Sequence, residues 1–213
     1  MPPRNPYITL ITRPVDLAAL VTRLRQVPAV AVDIEADSFH SYFEKTCLIQ
    51  FSVPGFDAIV DPLALHDLSP LSPVFADPAM EKVFHAAEYD LIGLKRDYGF
   101  EFAGLFDTMV ASRIVGWPAI GLASILEEQF GVQLDKRWQR ADWGRRPLPP
   151  EQLDYARLDT HYLLPLRDRL LDELRRLGRE AEAREEFARL ARTTPASREF
   201  DPEGFWRVKG ARD

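Results

Sequence analysis

A chain of 213 residues with 46% hydrophobic positions can bury one sizeable core, so a single compact domain of catalytic size is the default expectation. The lone Cys47 excludes an internal disulfide, the opening "MPPRNPYITL" lacks the basic-then-apolar pattern of a secretory leader, and no apolar run reaches the ~18 residues of a membrane span. These features predict a soluble protein of the reducing cytoplasm, with no membrane partner, and the net charge of −6 argues against polyanion binding over the whole surface.

In chain order, Thr12 is expected to cap a helix that starts near Pro14, where Leu17, Leu20, Val21 and Leu24 recur at i, i+3, i+4 and i+7. "AVAVDI" predicts a short apolar strand, and "CLIQFSV" and "DAIVD" two more, joined by the turn chemistry of Pro54-Gly55. "KVFHA" predicts a buried strand feeding the helix "EYDLIGLKRDYG", with Leu91, Leu94 and Tyr98 on one face and Gly99 as its stop. "GLFDT" predicts a fifth strand, with Asp107 or Thr108 capping the helix "MVASRIVG", and "LASILEEQFG" a further amphipathic helix ending at Gly131. Pro149 and Pro150 sit where a helix starts. A final long helix places Leu163, Leu166, Leu170, Leu174 and Leu177 at helical spacing, with a bend at Pro165. Strands early and helices late around a mixed sheet make an α/β domain. Past Arg192, "TTPASREFDPEGFW" has the composition of a linker. The domain is therefore expected to cover residues 1–192, with a tail over 193–213.

Alternation along "AVDIEAD" puts Asp33 and Glu35 on one face of their strand. With 33 acidic residues in the chain, an acidic-x-acidic triplet arises by chance about five times. The pair gains weight from its apolar, buried strand, where unpaired charge is very costly. Buried carboxylates need a metal or a cation. Asp90 opens a helix just after a buried strand, the place in α/β folds where ligands gather; alone, it reads as a first-turn acid favoured by the helix dipole. In "YARLDTHYLL", Tyr155 and Asp159 are i, i+4 neighbours, so phenol and carboxylate can point at one place. Alone, Asp159 reads as an exposed acid paired with Arg157 or His161. Taken one at a time the bland readings lead, and the ordered series is what points to a site. Its hard oxygen donors, with no His or Cys cluster, favour Mg²⁺ or Mn²⁺ over zinc.

Charge also has a local pattern. From Val132 to Arg146, Lys136, Arg137, Arg140, Arg145 and Arg146 outweigh Asp135 and Asp142 to give +3, interleaved with Trp138 and Trp143. Such a stretch can contact phosphates and stack bases, or it can be a solvated loop pinned by two partly buried tryptophans.

Three segments, "DIEADSFHSYFEKTCLIQFS", "VFHAAEYDLIGLKRDYG" and "YARLDTHYLLPL", with "LFDTMVASRIVG" and "RADWGRRPL" between them, resemble the DEDD 3′–5′ exonucleases from roughly Ile8 to Leu174. Within that superfamily the chain is similar to the ribonuclease D family and the related nuclease of the eukaryotic exosome. Tyr-x-x-x-Asp marks the tyrosine subclass; the histidine subclass needs His five residues before Asp159, where this chain has Asp154. The resemblance implies a ribonuclease H-like fold, a mixed central sheet flanked by helices. It implies hydrolysis of RNA from the 3′ end to 5′-mononucleotides with two divalent ions, in processing of tRNA and other stable RNA or in RNA turnover. By the same resemblance Asp33 bridges both ions, Glu35 and Asp159 help hold the ion on the nucleophile's side, Asp90 supports the other, and Tyr155 aims the attacking water. Two divalent ions would bring the charge from −6 to −2, so that a polyanion can approach.

Lys136, Arg140 and Trp143 then form the expected substrate track. Phe39 is either a wedge against a terminal base or a packing residue, and His85 either contacts sugar or phosphate or makes a structural hydrogen bond. The expected partner is the 3′ end of single-stranded RNA, tRNA precursors included. DNA is the alternative substrate, because the same carboxylates serve DNA-acting relatives, and a non-catalytic nucleic-acid-binding scaffold is the alternative that the intact acids weigh against. The tail from 193 resembles the lead-in to the helical HRDC domain that usually follows in this family, although the sequence ends before one.

Overall fold

The computed structural model describes residues 8–38, 41 and 44–195, with Lys136 described in its backbone alone. In chain order the elements are β1 (Ile8–Ile11), α1 (Pro14–Leu24), β2 (Ala29–Ala36), β3 (Thr46–Val53), β4 (Phe56–Val60), α2 (Ser72–Ala76), β5 (Glu81–Phe84) and α3 (Glu88–Tyr98). They continue with β6 (Leu105–Asp107), α4 (Thr108–Val115), α5 (Leu122–Phe130), a 3₁₀ turn (Lys136–Arg140), α6 (Pro150–His161), α7 (Leu163–Arg176) and α8 (Glu180–Ala191). The strands form one sheet in the order β1-β4-β3-β2-β5-β6.

The sheet is mixed because its two kinds of connection differ. β2, β3 and β4 pair antiparallel, and the β3–β4 turn closes through Gly55 at φ 73. β2, β5 and β6 pair parallel, as does β1 with β4, and those strands are separated in sequence by helices. Every residue of β3 is buried, and most of its positions are apolar, with Thr46, Gln50 and Ser52 as the polar ones. α6 lies across β3, β2 and β4, while α7 covers β2 and β5 and α8 covers β6.

The main core joins Leu17, Leu20, Val21 and Leu24 of α1 to the sheet and to Leu163, Leu166, Leu170 and Leu174 of α7. Each such side chain contributes about 1.5–3 kcal/mol on burial. A second, smaller cluster contains Cys47, Leu48, Ile59, Trp143, Tyr155 and Ala156. It lies where α6 meets β3 and β4, so the helix that carries Tyr155 has a packing surface of its own.

Several expectations are corrected. Thr12 does not cap α1: Arg13 is the N-cap, without a side-chain cap, and its guanidinium instead pairs with Asp16 at 2.6 Å. β1 was not foreseen, because only Ile11 of its four residues is buried. The helix bend expected at Pro165 is a break at Tyr162; Pro165 falls in the first turn of α7, where its missing N–H costs nothing. Leu177 is 41% exposed beyond the end of that helix. α2 and α8 are further additions, α8 burying Ala183, Phe187 and Leu190 at i, i+4 and i+7. Asp107 caps α4 as expected, accepting from the backbone N–H groups of Met109 and Val110. The tail call from 196 onward, with its HRDC-like lead-in, lies outside the described residues.

Two glycines permit close approaches in the fold. A Cβ at Gly93 would lie 3.0 Å from Ile34 Cδ1, so glycine lets α3 approach β2 closely. At Gly104, φ is 61 and a Cβ would lie 2.6 Å from the backbone oxygen of Met80, so no other residue fits the entry to β6.

Candidate active site

β2, α3 and α6 converge on one group of acids. Strand alternation turns Asp33 and Glu35 to the face covered by α6, and one oxygen from each of Asp33, Glu35 and Asp159 lies within 4.8 Å of the others. Asp90 and Asp159 are 6% and 8% exposed. Burial raises the Asp33 carboxyl to about 7. Glu35 is driven well above the ordinary carboxylate range by burial and then by the charges of Asp33, Asp159 and Asp90. Asp90 is raised likewise by burial and by Asp33, Asp107 and Asp159, and Asp159 by burial and Asp33. Four carboxylates thus repel one another in a poorly solvated place. A hard divalent cation relieves both costs at once, and the donor set, all oxygen, fits Mg²⁺ or Mn²⁺.

Tyr155 stands beside this group. Burial, followed by the charges of Asp159, Glu35 and Asp33, pushes its phenol upward, while a side-chain hydrogen bond with Gln139 works the other way. The phenol therefore keeps its proton and can serve as a hydrogen-bonding group, not as a base. Asp159 does not pair with Arg157 or His161. Both of those reach Asp57 on β4, at 3.1 Å and 2.8 Å, and Ser52 Oγ meets Thr160 Oγ1 at 2.7 Å. Burial opposes ionisation of Asp57, yet the donors His161, Ser52 and Arg157 hold its carboxyl below its ordinary value. These contacts moor the far side of α6 to the sheet and leave Asp159 facing the acids.

Asp90 is placed from the other side. Asp107, 1% exposed, accepts four backbone hydrogen bonds, from Ala86 (3.2 Å), Ala87 (2.7 Å), Met109 (2.8 Å) and Val110 (3.0 Å). Ala86 has φ 61, a strained left-handed conformation for a residue with a Cβ. One carboxylate therefore caps α4 and clamps the turn from which α3 presents Asp90. The sequence shows its capping role but not the clamp.

The expected substrate contacts fare differently. Trp143 is corrected: it is 1% exposed, packed against Tyr155 with ring centroids 6.2 Å apart and planes at 30°, and offers no face to a base. His85 makes structural hydrogen bonds, with Nδ1 2.9 Å from Thr108 Oγ1 and another to the backbone of Ile120; burial lowers its pKa to about 4. Arg140 is exposed at the end of the 3₁₀ turn that begins at Lys136. Within the +3 stretch, Arg137 pairs with Asp135 and Arg146 with Asp61. Phe39 lies outside the described residues. Gln139 had no sequence signal, being a polar residue of an exposed turn whose nearness to Tyr155 depends on the fold.

Residues 8–175 match the family model described as 3′–5′ exonuclease. Ribonuclease D of Granulibacter bethesdensis is 37% identical over 205 residues, covering 95% of this chain and 51% of that protein. The catalytic core of RRP6 from Trypanosoma brucei has a similar structure, with a TM-score of 0.89 and 35% identity over 94% of this chain and 56% of that one. Brucella melitensis NrnC with bound Mg²⁺ gives a TM-score of 0.72 at 26% identity, covering 86% of this chain and 89% of that one. The chain spans from about a fifth to about half the length of the curated relatives it matches.

Proposed function

The chain belongs to the 3′–5′ exonuclease family, and from that premise we propose that it is a metal-dependent exoribonuclease of the ribonuclease D type. It removes nucleotides from the 3′ end of single-stranded RNA and releases 5′-mononucleotides. The α/β sheet with its flanking helices is the fold that goes with this activity. The single observation that carries the reading is the convergence of Asp33, Glu35 and Asp159 within 4.8 Å, with the Tyr155 phenol raised by burial and then by those same charges.

In this reading Asp33, Glu35, Asp90 and Asp159 would hold two divalent ions, Mg²⁺ or Mn²⁺. When bound, such ions stabilise the attacking and leaving oxygens of an in-line displacement. Tyr155, protonated, accepts or donates a hydrogen bond to the attacking water and fixes its direction of approach. Displacement at phosphorus breaks the bond to the 3′ oxygen of the penultimate nucleotide, so the phosphate leaves on the 5′ side of the released nucleotide. Lys136 and Arg140, on the turn beside Gln139, supply positive charge for the RNA backbone. Burial of Trp143 and the hydrogen bonds of His85 support structural roles for those two. Residues 1–192 are the catalytic unit, and the substrates proposed are 3′ ends of tRNA precursors and other stable RNAs. Among the described residues no helix is long and apolar enough to cross a membrane. The compartment proposed is the reducing cytoplasm, with the lone Cys47 as its support.

The test is a time course on 5′-labelled single-stranded RNA, the same DNA sequence, and RNA blocked by a 3′-phosphate. The proposal expects a ladder that shortens from the 3′ end, faster on RNA, and stalls on the blocked end. Faster loss of DNA would replace RNA as the substrate, and internal cuts would refute exonucleolytic action.

A further inference from the structure

Four of the five proposed catalytic residues are carboxylates that a metal would hold. Tyr155 has no such anchor. A small rotation about its side-chain torsions would carry the hydroxyl well away from its target; Gln139, on an exposed turn, offers it one hydrogen bond, and packing of the ring must supply the rest. The indole of Trp143 lies against its ring, 6.2 Å between centroids, and is itself 1% exposed. Yet Trp143 comes from residues 141–149, a stretch with neither helix nor strand. Its own position therefore needs a cause.

Arg146 supplies that cause. Its Nε and Nη2 donate to the two oxygens of Asp61 at 2.7 Å and 2.8 Å. Nη1 donates to the carbonyls of Trp143 (2.7 Å) and Arg145 (2.8 Å), and Nη2 also reaches the carbonyl of Cys47 (3.0 Å). Asp61 is 3% exposed and directly follows β4, while Cys47 belongs to β3. A single planar fork thus clips an irregular segment to two strands and to the backbone of the tryptophan. Lysine, a point donor on a flexible stem, cannot reproduce that geometry. With its donors committed in this way, Arg146 is not arranged to track a phosphate backbone.

We propose that Arg146 and Trp143 are positioning residues for Tyr155: the Arg146–Asp61 clip holds the Trp143 indole against the phenol and so sets the direction of its hydroxyl. This rests on the reading of Tyr155 as the group that orients the attacking water. Neither residue touches RNA; both act through Tyr155. Cys47, Leu48, Ile59 and Ala156 complete the small apolar cluster that keeps this support dry.

The experiment is a double-mutant cycle on the full chain, with kcat and KM measured on single-stranded RNA in Mg²⁺ for Arg146→Lys, Trp143→Phe, Tyr155→Phe and the two combinations. Tyr155→Phe alone is expected to lower kcat by about 10²–10⁴-fold. Arg146→Lys and Trp143→Phe are each expected to lower kcat about tenfold, with KM changed by less than about twofold. In the Tyr155→Phe background the same changes should cost less than about twofold, because the hydroxyl they direct is gone. Equal losses in both backgrounds, unchanged kcat in a folded variant, or a rise in KM alone would overturn the proposal. Thermal melts establish folding, and if Arg146→Lys does not fold, Trp143→Phe carries the cycle. Full turnover by Tyr155→Phe alone would refute the reading of Tyr155 itself, and the support with it, before any brace variant is considered.

Discussion

Removing divalent ions should make this protein less stable as pH rises, the opposite of the usual carboxylate behaviour. Burial lifts Asp33 from 3.8 to about 7, so between about pH 4 and 7 the native state binds a proton that the unfolded chain has released. Its contribution is fully present below about pH 4 and is lost as pH climbs through about 7. A difference of roughly three units corresponds to about 4 kcal/mol. For a chain of this size that is a fall in Tm of roughly 10 °C. Glu35, Asp90 and Asp159 are raised as well and act in the same direction. The assay is a series of thermal melts in EDTA from pH 5 to 8 on the wild type and on Asp33→Asn, which cannot ionise. The wild type should lose Tm with rising pH, and the variant should exceed it by a margin that widens from pH 5 to pH 8. Saturating Mg²⁺ should remove most of the wild-type slope, since it stabilises the ionised native state. A wild-type Tm that is flat or rises with pH in EDTA, or a variant less stable at pH 8, would refute the burial and crowding of carboxylates on which the site is argued.

Two further predictions concern the scaffold. Asp107→Ala leaves the backbone N–H groups of Ala86, Ala87, Met109 and Val110 without their acceptor and should cost about 3 kcal/mol in denaturant melts; a loss below about 1 kcal/mol would show that the clamp is dispensable. Gly104→Ala puts a Cβ 2.6 Å from the Met80 oxygen at φ 61 and should cost about 2 kcal/mol or more, whereas an unchanged midpoint would mean the entry to β6 can relax.

Asp33, Glu35 and Asp159 were legible in the sequence because each obeys a local period, and Asp90 because it opens a helix after a buried strand. Alternation fixes Asp33 and Glu35 on one face, and i, i+4 spacing joins Tyr155 to Asp159. What surrounds them was not legible, since it depends on partners remote in sequence. Arg146 meets Asp61 across 85 residues, and Arg157 and His161 meet Asp57 across 100 and 104. Composition left Trp143 open between a base-stacking ring and a partly buried anchor of a cationic loop; only the fold of that loop against β3 and β4 decides for the anchor. The same limit explains the helix break. Pro165 drew the eye, but the chain turns at Tyr162, whose ring is packed by Phe130 and His161 at 5.1 Å and 4.8 Å. α8, by contrast, carried a helical apolar period in Ala183, Phe187 and Leu190 that could have been read.

The central claim is that the carboxylate cluster works by holding divalent metal. The measurement that tests it most directly is cleavage of 5′-labelled single-stranded RNA by the wild type and by Asp159→Asn, side by side, in Mg²⁺, in Mn²⁺ and in EDTA. The account predicts 3′-end shortening by the wild type in either metal, none in EDTA, and a loss of at least about 10³-fold in the variant, which removes one ligand charge and leaves the fold intact. Cleavage that persists in EDTA, or a folded Asp159→Asn protein with undiminished turnover, would contradict it.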